Sequence, residues 1–196
     1  MASVKKYKLK EVPSQIRHVE RSSQFFMNSK IELDRIGEDY ILTPDRGIDS
    51  YAFFCDRVKK MHYLKRKDVI MMIGWVVTCP TDLPLNKQFD FFSLVYRFFS
   101  EKYGESNIVT AVVHKDEDRP HIHALIIPAV KDTDISHEQD ERILCKVVIN
   151  RKTLAEFHPE LQRFLDQNGL NVSINGGIKH KRPIQNEISG FYLSKG

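Results

Sequence analysis

The sequence predicts an α+β fold, in which helices pack against a central, mostly antiparallel sheet of about five strands. Short runs of β-branched and aliphatic residues alternate with helical patterns over residues 14–168 of the 196-residue chain. Two of these runs flank the short loop KDEDRP, which indicates an antiparallel hairpin. No internal repeat or Gly/Ser-rich linker divides the chain. We therefore expect a single domain over residues 1–196.

The first half of the chain is predicted to contain two helices and two strands. Residues 14–27 follow Pro13, and a first helical turn tolerates proline. Residues 38–43, EDYILT, are predicted to form a short strand. Residues 49–66 carry apolar side chains spaced by threes and fours, which is typical of a helix. Residues 68–80, DVIMMIGWVVTCP, are predicted to form a buried strand.

The clearest helix covers residues 86–104, where Gly104 is suited to cap the carboxyl end. Its aromatic side chains recur at helical spacing and form one stripe. We expect this stripe to face the core, because large aromatic side chains are usually buried. The stripe consists of Phe89, Phe92, Tyr96, Phe99 and Tyr103.

The second half contains three predicted strands and a last helix. Residues 107–114 and 121–130 are rich in Val, Ile, Leu and Ala, and residues 145–150 resemble them. A helix is predicted over residues 153–168, although Pro159 suggests that its first turn is broken or starts late. The basic segment that follows has no clear pattern.

Composition narrows the class of protein. Hydrophobic residues make up 41% and charged residues 29% of the chain, which is typical of a globular protein. No apolar run approaches the roughly 18 residues of a membrane span, and the first residues lack the apolar segment of a secretory signal. The three cysteines are widely spaced, which favours reduced thiols in the cytoplasm.

The basic residues cluster, although the net charge is only +4. If the clusters converge in the fold, they form a groove suited to a polyanion such as DNA. Taken alone, a solvated surface is the simpler interpretation. The residues proposed to contact DNA are Lys59, Lys60, Arg66, Lys67, Lys179, Lys181 and Arg182.

Three histidines surround the loop between the strands predicted at 107–114 and 121–130. If His114 lies opposite His121 in an antiparallel pair, His123 shares their face, because side chains alternate along a strand. Opposed residues approach to about 5 Å, so the three imidazoles converge. Three nitrogen ligands with positions left open for water or substrate are typical of a catalytic metal site.

The loop adds the acidic residues Asp116, Glu117 and Asp118. Asp116 is suited to orient an imidazole by accepting its second N–H. Glu117 is suited to act as a general base if it faces the substrate. Asp118 is expected to be an ordinary loop residue.

The segment HKDEDRPHIH, residues 114–123, fits the pattern H-x-D-E-x-x-P-H-x-H at every defined position. It resembles the metal-binding motif of the Pre/Mob (MobV) plasmid relaxases, a family of the HUH endonuclease superfamily. Near the start, RHVERS resembles the family's first motif, H-N-x-R, through His18 and Arg21. Val19 stands where that motif has asparagine. The resemblance covers residues 10–130.

This resemblance implies a relaxase, which nicks one DNA strand at a plasmid transfer origin and holds its 5′-phosphate on a histidine. His18 would be the nucleophile, Glu117 would accept or steer its proton, and Arg21 would hold the scissile phosphate. The resemblance favours Mn²⁺ or Mg²⁺ in the metal site, although imidazole ligands alone would favour zinc. The metal ligands would be His114, His121 and His123.

The implied partner is single-stranded or hairpin DNA at a transfer origin, without a small-molecule cofactor. Members of the family are usually longer than this chain, with a carboxyl-terminal region for dimerisation or membrane association. The resemblance therefore implies the amino-terminal catalytic part of a longer protein in the bacterial cytoplasm. Any dimer would form through the missing region.

Three alternatives remain open from the sequence. An HUH replication initiator or transposase would use a tyrosine as the nucleophile, and Tyr40 is the candidate. An unrelated three-histidine metallohydrolase would act on small molecules through a metal-bound water. A non-catalytic DNA-binding module would need a fourth ligand to close a structural metal site, and no cysteine lies nearby in the sequence to supply one.

Overall fold

The computed structural model describes residues 2–22 and 37–174. Its strands are β1 (Ala2–Lys8), β2 (Tyr40–Ile41), β3 (Ile70–Thr78), β4 (Ile108–His114), β5 (His121–Ile126), β6 (Ala129–Lys131) and β7 (Glu141–Ile143). Its helices are α1 (Val12–Val19), α2 (Ser50–Lys59), α3 (Gln88–Tyr103), α4 (Cys145–Val148) and α5 (Arg151–Gln167). No helix among these residues is both long and apolar enough to cross a lipid bilayer.

Five strands form one sheet in the order β1-β3-β5-β4-β2, and every neighbouring pair is antiparallel. Strands β6 and β7 form a separate two-stranded sheet. The predicted α+β fold with a five-stranded antiparallel sheet is thus confirmed. The three central strands, β3, β5 and β4, carry long apolar runs because both faces of the sheet are covered by helices.

One face of the sheet packs against α3 and α5. Alternate residues of the central strands, such as Trp75 and Ile122, point to this side and join one buried cluster with the helices. The Trp75 ring stacks on Phe157 of α5, with ring centroids 3.8 Å apart. Trp75 is 3% exposed, so it belongs to the core.

The other face packs against α1 and α2. In α1, the apolar side chains of Val12, Ile16 and Val19 recur at helical spacing and are buried against the sheet. Helix α1 was predicted over residues 14–27 but ends at Val19, because Arg21 adopts a left-handed backbone conformation with φ of 51°. Residues 23–27 of that prediction lie outside the described residues.

Three other segments differ from the prediction. Residues 2–8 form the edge strand β1, which the sequence did not reveal because its lysines interrupt the apolar alternation. The helix predicted over 49–66 ends at Lys59. Residues 145–150, predicted as a strand, contain helix α4, since β-branched residues favour a strand only where another strand is available to pair.

Helices α5 and α3 also differ from the prediction in detail. Helix α5 starts at Arg151, where Asn150 accepts the N–H groups of Lys152 and Thr153, and it continues through Pro159. In α3 the buried face is Phe91, Phe92, Val95, Phe98 and Phe99. Phe89 was expected in the core but is 61% exposed, because it lies in the first turn of α3, where its ring contacts Tyr40 of the edge strand β2.

Candidate metal centre and active site

The register between β4 and β5 brings together the three histidines that flank the loop. His114 is paired with His121, and His123 is paired with Val112 two residues along. The ring centroids lie 5.4 Å apart for His114 and His121, 4.6 Å for His114 and His123, and 4.8 Å for His121 and His123. One nitrogen from each ring lies within 4.8 Å of the other two.

Backbone carbonyls orient two of these rings. His114 Nε2 lies 2.7 Å from the carbonyl oxygen of Val19, and His121 Nδ1 lies 2.8 Å from that of Arg119. Because a carbonyl only accepts, these two ring nitrogens carry the hydrogens. His114 Nδ1 and His121 Nε2 are left with lone pairs. Within the described chain, the buried Nδ1 of His114 has no hydrogen-bond partner.

The spacing of these nitrogens suits a shared metal ion. His121 Nε2 lies 3.0 Å from His123 Nε2. Two nitrogens bound to one ion at about 2.1 Å, with a right angle between the bonds, stand about 3 Å apart. An unpartnered buried nitrogen on His114 completes the set. The residues present therefore fit a divalent ion, with coordination positions left for oxygen ligands.

Burial keeps two of the rings neutral. It lowers the pKa of His114 to about 3. Burial also holds the pKa of His123 well below its ordinary value, and the neighbouring rings of His114 and His121 lower it further. A neutral imidazole is the form that binds a metal ion, so these ligands need not release a proton at physiological pH.

His18 lies beside this centre on the last turn of α1. Its side chain is exposed, and its ring stands perpendicular to the His123 ring with centroids 6.2 Å apart. Partial burial lowers its pKa, and the charge of Arg21 lowers it further. The imidazole is therefore neutral near pH 7, and a neutral imidazole has a lone pair for nucleophilic attack.

Arg21 joins α1 to the acidic loop. Its Nε and Nη2 donate to the two carboxylate oxygens of Asp116, each at 2.8 Å, and Nη2 also donates to Glu117 at 3.0 Å. The side chains of Arg21 and Asp116 are 4% and 0% exposed. Asp116 was expected to orient an imidazole, but backbone carbonyls orient His114 and His121, and Asp116 binds Arg21 instead.

Asp39 also belongs to this group, although the sequence did not single it out. It directly precedes β2, and its Oδ1 accepts the backbone N–H of Lys115 at 2.7 Å. Its Oδ2 lies 3.7 Å from Arg21 Nε. Asp39, His114 and Asp116 each place one polar atom within 4.8 Å of the others. The only sequence signal was an acidic residue beside the strand that carries Tyr40.

Tyr40 lies on the other side of the sheet from the histidines. It pairs with Val113, whose side chain belongs to the cluster beneath α3, whereas the next residue, His114, points to the opposite face. The Tyr40 ring contacts Phe89 of α3, with centroids 5.8 Å apart. Burial raises its pKa to about 12. The structure therefore does not bring Tyr40 together with the three histidines.

A basic cavity lies at the far end of β3 from the histidines. It measures about 660 Å³, and its lining residues are Lys8, Leu9, Lys10, Tyr63, Lys65, Arg66, Lys67 and Asp68. Lys59 is outside it and pairs with Asp56 at 2.9 Å. Lys60 is exposed at the end of α2. Lys179, Lys181 and Arg182 lie outside the described residues.

Acid should destabilise the metal-free protein through His114. Its pKa is about 3 in the folded state and about 6.5 when unfolded, so between these values only the unfolded chain binds the proton. Stability is therefore lost as the pH falls through this window. In His114→Gln, the free energy of unfolding should depend on pH less steeply, by about 1.4 kcal/mol per pH unit at the centre of the window. Urea denaturation with a chelator at pH 4 to 7 measures this slope. Parallel pH profiles for the two proteins would contradict the expectation.

Several known proteins are similar to this chain. The family model described as plasmid recombination enzyme (Mob_Pre) matches residues 1–186. A plasmid recombination enzyme of Lactiplantibacillus plantarum is 27% identical over 177 residues, which are 84% of this chain and 45% of that protein. One of Streptococcus agalactiae is 28% identical over 192 residues, or 92% of this chain and 37% of that protein. The chain thus spans less than half the length of these two relatives.

A solved structure shares the fold. It is the MobM relaxase domain bound to the oriT DNA of plasmid pMV158 and to manganese, with a TM-score of 0.71 and 26% sequence identity. The match covers 93% of this chain and 94% of that domain. Because the family model extends over nearly the whole sequence, this chain belongs to the plasmid recombination enzyme (Mob_Pre) family.

Proposed function

We propose that this chain is the catalytic domain of a relaxase. Such an enzyme is a metal-dependent endonuclease and strand transferase that nicks one DNA strand at a transfer origin in the bacterial cytoplasm. One observation carries the proposal: an exposed, neutral His18 lies next to a cluster of three histidines whose nitrogens suit a divalent ion. The described residues would form this one catalytic unit, and any dimer contacts would lie in the carboxyl-terminal region of a longer protein.

The metal ligands in this proposal are His114 through Nδ1, and His121 and His123 through Nε2. The ion would be Mn²⁺ or Mg²⁺, in line with the manganese bound to the similar relaxase domain. When bound, the ion would neutralise charge on a non-bridging phosphate oxygen and favour in-line attack at phosphorus. The phosphate would supply oxygen ligands, which favour these ions over zinc.

His18 is the proposed nucleophile. Its neutral imidazole would attack the scissile phosphorus, and the bond to the 3′ oxygen would break. That oxygen would take up a proton from water and leave as a 3′-hydroxyl, and the 5′-phosphate would stay on the ring as a phosphoramidate. That covalent bond would conserve the energy needed for later rejoining. Glu117 would accept the proton that the imidazole loses. Its carboxylate lies on the loop between His114 and His121, and its negative charge raises the pKa of His18.

Arg21 was expected to hold the scissile phosphate. Its guanidinium binds Asp116 and Glu117 through Nε and Nη2. We therefore assign Arg21 first to fixing the orientation of Glu117. Contact with the phosphate itself remains a prediction for the DNA-bound state.

The proposed DNA path extends from the histidines towards the basic cavity. Lys8, which lines the cavity, pairs with Ile70, and His123 pairs with Val76 of the same strand. Six residues of extended strand separate these two points by about 20 Å. The cavity would hold phosphates that flank the nick, and Tyr63 offers a ring on which an unpaired base can stack. Lys60 and the basic residues near the carboxyl end are proposed as further phosphate contacts.

The nucleophile is tested by trapping the covalent adduct. Supercoiled plasmid carrying the gene and its flanking DNA is incubated with the protein and Mn²⁺, and nicked circles with attached protein are counted. The wild type and Tyr40→Phe should form the adduct, whereas His18→Ala should form none, because its alanine offers no lone pair to phosphorus. Removal of the metal with EDTA should also abolish nicking.

Two results would contradict this part of the proposal. An adduct lost in Tyr40→Phe and kept in His18→Ala would move the protein to the tyrosine-dependent enzymes of the superfamily. Firm Mn²⁺ binding without any nick or adduct would favour a metallohydrolase that acts on small molecules.

The basic cavity is tested by the salt dependence of DNA affinity. The double variant Arg66→Ala/Lys67→Ala should reduce the slope of log Kd against log salt concentration by about 1.4 to 1.8, since each lost phosphate contact releases about 0.7 to 0.9 counterions fewer. The control is Arg151→Ala/Lys152→Ala, which removes two exposed cations at the start of α5. Fluorescence anisotropy with labelled origin DNA measures both slopes. Equal slopes for the two double variants would exclude the cavity from the DNA path.

A further inference from the structure

Asp39 lies where the sheet edge meets the acidic loop. Tyr40 pairs with Val113, so the antiparallel register places Asp39 beside His114 at the end of β4. Asp39 Oδ1 accepts the Lys115 N–H at 2.7 Å. The Asp39 side chain is only 8% exposed. It therefore ties the first residues of the loop to strand β2.

Two groups lie near the Asp39 carboxylate, the Lys115 amide at Oδ1 and Arg21 at Oδ2. The contact with the Lys115 amide is a short, charge-assisted hydrogen bond, whereas Arg21 Nε is 3.7 Å away and already bound to Asp116. Distance therefore favours the backbone amide as the main partner. Burial of Asp39 raises its pKa, and the negative charge of Asp116 raises it further.

The loop held in this way connects two metal ligands and the residues that surround them. It begins one residue after His114 and ends one residue before His121. It also carries Asp116 and Glu117, which bind Arg21 and so fix the end of α1 just beyond His18. Loss of the acceptor at position 39 would free the Lys115 N–H and let the end of β4 move relative to β5.

We propose that Asp39 is a positioning residue of the metal centre. It acts through the Lys115 amide, by holding the acidic loop so that the His114 ring keeps its position relative to His121 and His123. Asp39 binds neither the ion nor DNA in this assignment. The assignment rests on the metal centre of the proposed function, but its test uses Mn²⁺ alone and needs no DNA.

The test compares Asp39→Ala with Asp39→Asn. Alanine removes the acceptor, so Mn²⁺ should bind about tenfold more weakly or worse, as is usual when the groups that orient metal ligands are lost. Asparagine keeps an oxygen in the same place and should recover most of the affinity. Electron paramagnetic resonance of free Mn²⁺ measures binding. Amide hydrogen exchange by NMR should show that Lys115 loses protection in Asp39→Ala and keeps it in Asp39→Asn.

The matched control is Asp45→Ala. Asp45 Oδ1 also accepts a backbone N–H, that of Gly47 at 2.8 Å, but on an exposed turn away from the histidines. This variant should bind Mn²⁺ like the wild type, and thermal unfolding should show that all variants are folded. Wild-type Mn²⁺ affinity in Asp39→Ala would overturn the assignment, as would an Asp39→Asn variant as weak as Asp39→Ala. A wild type that binds Mn²⁺ without nicking DNA would instead overturn the relaxase proposal alone.

Discussion

The pairing of β4 with β5 is the constraint on which the site depends. Backbone hydrogen bonds set His114 opposite His121, and the alternation of side chains then places His123 on the same face. A slip of one residue would turn the two ligands of one strand to the far side of the sheet and separate them from the third. The apolar residues of both strands prevent that slip. Ala111, Val113 and Ile122 must face α3 and α5, so the histidines must face α1.

The partner of this hairpin is the carboxyl end of α1. The Val19 carbonyl accepts the N–H of His114, and two residues later Arg21 binds the acidic loop. Both contacts require the chain to leave helix α1 at this point. This requirement explains why Arg21, although it is not a glycine, adopts a left-handed backbone conformation. His18 thereby lies directly before two attachments of the chain to the metal centre. The burial of Arg21 with Asp116 and Glu117 costs desolvation energy. In return, this cluster fixes the end of α1 relative to the acidic loop.

The sequence predicted what depends on local periodicity. Alternation and spacing were enough for the antiparallel hairpin and for the convergence of its histidines, because a strand pair joined by a short loop leaves little freedom. They were not enough for Asp39, which reaches the site through the pairing of β2 with β4, a contact between distant segments. Nor did they identify Val19, whose carbonyl acts irrespective of its side chain. The strand predicted at 145–150 failed for a similar reason, since this segment pairs with no strand among the described residues.

The central claim is that three imidazoles, aligned by strand register, together bind one divalent ion. Crystals grown with Mn²⁺ and measured at the manganese absorption edge test it directly through the anomalous difference map. The account predicts one strong peak within bonding distance of His114 Nδ1, His121 Nε2 and His123 Nε2. A peak held by Asp39 and Asp116, or one that contacts fewer than three of these imidazoles, would contradict it.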